Sequence, residues 1–123
     1  MCKEISIWDR KLKMIIDLDC LDGEVATELQ KKTLSSFIDN CKILDDALPF
    51  VKDYCLAEKE MRDNNIISDI FSYVVPKTIF VPRDDKKQTV AILCDYYFDK
   101  EHGLAIVFEN QKFKRISPED EII

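Results

Sequence analysis

Leu12, Met14, Ile16 and Leu18 point to one side of an extended chain, and Lys11, Lys13, Asp17 and Asp19 point to the other. Alternation with a period of two defines a strand with one buried face and one wet face. Such a strand needs a partner strand and an apolar layer to cover it, which rules out an all-helical fold. Ile5-Ser6-Ile7-Trp8 just before it reads as a short strand, with Asp9-Arg10 as the turn, so the chain opens on a hairpin.

The pattern then changes to helical. Thr27-Glu28-Leu29-Gln30 has the form of a capping box with Thr27 as N-cap. Leu29, Leu34, Phe37, Ile38 and Cys41 follow at near-helical spacing. Ile43, Leu44, Ala47, Leu48, Val51 and Cys55 mark a second helix. Pro49 either kinks it or lies in the first turn of its regular part. Ile66 to Tyr73 adds a short helical turn.

The last third is strand-like. Thr78–Val81 lies between Pro76 and Pro82, which suits a short edge strand. Thr89–Cys94 is apolar on both faces, so it belongs in the middle of the sheet. Leu104, Ile106 and Phe108 share one face of the next strand, Asn110 suits a left-handed turn, and Phe113–Ile116 is a possible final strand. The order β-β-α-α-β-β-β, with short links between strands, predicts an α+β fold. It would be an antiparallel sheet of about five strands with two main helices on one face. The 123 residues fit a single domain, 1–123.

Composition narrows function more than fold. The net charge of −6 disfavours nucleic acid, because phosphate contacts need a basic stripe. Two glycines leave no glycine-rich phosphate loop. The five cysteines are odd in number and form no C-x-x-C, so free thiols in a reducing compartment are expected. No apolar leader or membrane-length run occurs, and the expectation is a cytoplasmic protein with no membrane contact.

Pro82-Arg83, Asp95 to Asp99, Glu101-His102-Gly103-Leu104, Val107-Phe108-Glu109-Asn110 and Glu119-Asp120 occur in a recognisable order. The chain resembles an uncharacterised bacterial domain family with a C-terminal signature near D-x3-D-x-E-H-G-L-G-V-R-F-E-N-G and a later acidic pair. Members of that family begin with a Trp-containing hairpin and continue through two helices. Ala105, Val107 and Gln111 depart from the signature's Gly, Arg and Gly. The family brings no activity with it. It is loosely similar to immunity domains of bacterial toxin systems, which implies binding to another protein.

Three groups of residues carry the functional expectations. Asp46, Asp53 and Glu60 recur every seven residues, so they form an acidic stripe on the second helix that suits a basic protein partner. Trp8 and the tyrosines at 54, 73, 96 and 97 are candidates for an aromatic contact patch; most are expected in core or sheet packing, and Trp8, near its turn, is the one placed to be half-exposed. Asp95, Asp99, Glu101 and His102 form a polar turn cluster, the alternative site for a ligand-binding or hydrolytic domain. His102 is the only histidine, so neither a catalytic set nor a bound metal or cofactor is expected. The reading is an acidic, non-enzymatic interaction domain, with an immunity-type role as its most concrete form. No sequence feature sets the oligomeric state.

Overall fold

The computed structural model describes residues 2–19, 25–40, 42–59, 70–83, 87–97 and 99–119. The elements are β1 (Cys2–Ile7), β2 (Arg10–Leu18), α1 (Glu28–Asp39), α2 (Ile43–Lys59), a 3-10 turn (Ile70–Ser72), β3 (Val74–Val81), β4 (Thr89–Tyr96), β5 (Leu104–Glu109) and β6 (Lys112–Ser117). Among the described residues the strands form one six-stranded sheet in the order β1-β2-β3-β4-β5-β6. The class is α+β as expected, but the sheet has one more strand than expected and is mixed. β2 and β3 run parallel, with Ile15 opposite Thr78 and Leu18 opposite Val81. An all-antiparallel sheet assumes tight returns throughout. Here the whole helical segment separates β2 from β3, and a long crossover permits parallel pairing.

The first hairpin turns one residue earlier than the sequence suggested. Ile7 pairs with Arg10, leaving Trp8-Asp9 as a two-residue loop. Both loop residues have positive φ, 51° and 67°, as a type I′ hairpin turn requires. That conformation is costly for a bulky side chain. Tertiary contacts offset the cost: Trp8 is only 7% exposed, its Nε1–H donates to the Leu44 carbonyl at 2.8 Å, and its ring tilts against Phe71 at 5.7 Å. Trp8 is therefore a core anchor between β1 and α2, not a half-exposed contact residue. The β5–β6 loop repeats the geometry at Asn110 (φ 52°) and Gln111 (φ 66°). Asn110 takes the left-handed conformation expected of it, and Gln111 does so without being glycine.

The alternation of β2 is realised. Met14 and Ile16 are buried, Leu12 and Leu18 pack on the same core, and Lys11, Lys13 and Asp17 are exposed. Phe37 of α1 and Leu44, Ala47, Val51 and Cys55 of α2 join Ile79, Ile92 and Ile106 in that core, so both helices cover one face. The expected capping box at Thr27 is present with both of its hydrogen bonds. α2 begins at Ile43 and continues through Pro49, which therefore does not start the regular helix. Pro49 and Asp45 are both exposed, so water can reach the carbonyl that the missing N–H leaves unpaired.

β3 is an interior strand, which corrects the expectation of an edge. The prolines misled because β2 pairs only with Thr78–Val81. Pro76 lies beyond that ladder, facing Cys94 on its other side, where the register shifts between Pro76 and Thr78. A residue without an N–H is tolerated at a bulge on a locally unpaired flank. β4 is central, as its double-sided apolarity required. Its far side joins a second buried cluster of Phe80, Ala91, Leu93, Ala105 and Val107.

Candidate functional site

The acidic stripe is present as far as it is described. Asp46 and Asp53 are exposed on α2, opposite Leu44 and Val51, and Glu60 lies outside the described residues. Asp45 and Asp46 also occupy the first turn, where the helix dipole favours negative charge.

The turn cluster divides in two. Asp99, Glu101 and His102 belong to the β4–β5 connection. Asp99 accepts from the His102 backbone N–H at 3.2 Å, and its Oδ1 pairs with His102 Nδ1 at 3.0 Å. The Asp99 carbonyl accepts from Gly103 N–H at 2.9 Å, and Gly103 has φ +65°. These bonds make the turn, and Glu101 is exposed on it. A Cβ at Gly103 would meet the Glu119 carboxyl at 2.8 Å and the Cys94 carbonyl at 3.0 Å, so the positive φ and the close backbone approach both favour glycine there. The Glu119 N–H donates to the His102 carbonyl at 3.0 Å, which fastens the segment after β6 onto this turn.

Asp95 points elsewhere. It pairs with Val75 across the β3–β4 ladder, and directly opposed residues share a face of the sheet. Among the described residues, Asp95, Val75, Tyr73, Tyr96, Tyr97 and Lys100 line a cavity of about 340 Å³. The Tyr97 N–H donates to the Tyr73 carbonyl at 2.8 Å, which fixes the two rings edge to face at 6.0 Å. Tyr97 is 59% exposed. Lys100 Nζ sits 5.2 Å over its ring, and Lys77 Nζ lies 3.7 Å from Asp95. The structure thus joins two groups that the sequence kept apart, the aromatic candidates and one carboxylate of the polar cluster. Asp99 and His102 pair with each other and are not among the lining residues.

The local field is negative. Burial first, then Asp95, raises the Glu119 carboxyl above the usual range. Burial first, then Glu119, Asp95 and Cys55, raises the Cys94 thiol well above its ordinary value. Cys94 is therefore a protonated core residue rather than a nucleophile. Among the described residues no three His, Cys, Asp or Glu side chains cluster as metal donors. The cavity offers three tyrosines, a carboxylate and an ammonium, which is binding chemistry.

Sequence reasoning missed Lys100 and Glu119 at this site, and only Glu119 left a signal, as part of the acidic pair in the family signature. It also missed the second role of Gln30. That side chain is 1% exposed. It accepts from Thr27 N–H at 2.8 Å and donates to the carbonyls of Asp19 at 2.8 Å and Val81 at 3.1 Å.

No helix among the described residues is long and apolar enough to cross a membrane. No curated protein and no solved structure matches the chain. Residues 2–123 match a family described as a domain of unknown function, DUF6985, and the chain belongs to that family.

Proposed function

We propose that this domain is a non-enzymatic interaction module that binds a basic protein surface through the outward face of α2. The observation that carries the reading is the exposure of both Asp46 and Asp53 on the side of α2 away from the core. Charges so placed act through long-range attraction, which speeds encounter and fades with salt. The more specific form is an immunity-type role, in which the partner is a toxin. After a pull-down from the native host identifies the partner, Asp46→Lys with Asp53→Lys should slow association at low salt by about tenfold. Association at the wild-type rate would remove this face from the interaction.

A second reading is favoured by the cavity beside Asp95. Its lining suits ligand binding rather than hydrolysis, because the imidazole of His102 is engaged with Asp99 instead of converging on it.

A further inference from the structure

The cavity at the Val75–Asp95 end of β3 and β4 is built from parts that each attract a cation. Tyr97 presents a ring face, and a lysine ammonium already stands over it at 5.2 Å. Asp95 presents a carboxylate, and a second lysine already stands against it at 3.7 Å. That separation exceeds hydrogen-bond length, and both side chains of the pair are more than half exposed. Two flexible lysines therefore share one task between them, each weakly held. Val75 lies directly opposite Asp95, so the cavity wall beside the carboxylate is apolar. A planar cation can do both jobs at once, because a guanidinium stacks on an aromatic face and offers a carboxylate two parallel N–H donors. A lysine ammonium is a compact, strongly hydrated charge and cannot stack.

We propose that this cavity is a receptor for a guanidinium group, which lies against Tyr97 and bonds to Asp95 in place of Lys100 and Lys77. A second acid, Glu119, lies within electrostatic reach of Asp95, which after burial raises its carboxyl. The cavity volume, about 340 Å³, accommodates an arginine side chain. The site stands whether or not the α2 face docks a partner. The guanidinium can come from an arginyl side chain of a peptide or from free arginine.

The test is a titration of the whole chain with N-acetyl-arginine amide, N-acetyl-lysine amide and free arginine, followed by NMR shifts of the Tyr73 and Tyr97 rings. The blocked arginine should saturate with a Kd of about 1 mM, and the lysine analogue should bind at least about fivefold more weakly. Tighter binding of the blocked form assigns the site to peptides, and tighter binding of free arginine assigns it to the amino acid. Asp95→Asn, at an exposed side chain, should weaken binding about tenfold. Lys100→Met should tighten it about threefold by clearing the Tyr97 face. Absence of ring shifts up to about 20 mM, equal binding of the two blocked amino acids, or weaker binding by Lys100→Met would each overturn the proposal.

Discussion

The two ends of β3 and β4 are built on opposite principles. At the end where β3 finishes, Gln30 ties α1 to the last carbonyls of the parallel pair, and its amide is satisfied by neutral partners. At the other end, burial and then Asp95 raise the Glu119 carboxyl, burial and then both acids raise the Cys94 thiol, and Asp95 itself lines an open cavity. A buried polar group with every bond made locks a fold in one arrangement. A partly exposed cluster of like charges does the reverse: it leaves an unfavourable interaction that a ligand or a proton can relieve. One end therefore reads as structure and the other as a binding site.

The contrast is tested most severely by Gln30→Met, which keeps the side-chain volume and removes the hydrogen bonds. It deprives the Asp19 carbonyl and the Thr27 N–H of their partner in Gln30, and should cost about 3 kcal/mol in urea unfolding. A loss under about 0.5 kcal/mol would mean that this end is no more pinned than the other.

Gly103→Ala probes the cavity end where it is structural. The positive φ and the approach to the Cys94 carbonyl together should cost about 2 kcal/mol, read from the same unfolding curves. Glu119→Ala in the same chain should recover the part of that loss that comes from the contact with Glu119 and leave the part due to φ and the Cys94 carbonyl. An unchanged midpoint in Gly103→Ala would show that the β4–β5 turn is not held in this form.

The smallest effect concerns pH. The Glu119 carboxyl is raised in the folded state, so the folded chain holds the proton more tightly than the unfolded one. Its contribution is fully present below the unfolded value and is lost as pH rises through the folded value. In urea midpoints measured against pH, Glu119→Gln should remove that decline. Asp95→Asn should reduce it, because Asp95 is the second cause of the shift. Gln30→Met should lower the whole curve without changing its slope. Identical slopes in wild type and Glu119→Gln would remove the electrostatic half of the contrast.

Much of the frame was legible in local pattern. The alternation of residues 11–19 identified β2 and its buried side, and Thr27 with Gln30 marked the start of α1. The double-sided apolarity of residues 89–94 placed β4 at the centre of the sheet. Each of these signals repeats at the period of one element, so a single segment suffices to read it. For Trp8 the pattern favoured packing but left a half-exposed contact open, because a turn position says nothing about what folds down onto it. The candidate site was half legible: Asp95 and the tyrosines were singled out, but as members of different groups.

The sequence by itself determined which segments are strands and helices, which side of β2 is apolar, that both sides of β4 are, and where α1 is capped. Those properties follow from side-chain spacing and backbone preference, which act over a few residues. Only the tertiary structure decided that β2 and β3 are parallel, that Pro76 sits harmlessly inside the sheet, and that Asp95 leaves His102 to join Tyr73 and Tyr97. Those outcomes depend on which distant segments meet. Gln30 reaches Val81 across 51 positions of the chain. A meeting at that separation is fixed by how the helical layer covers the sheet and by where the last buried polar groups find partners, and neither is written in any one segment.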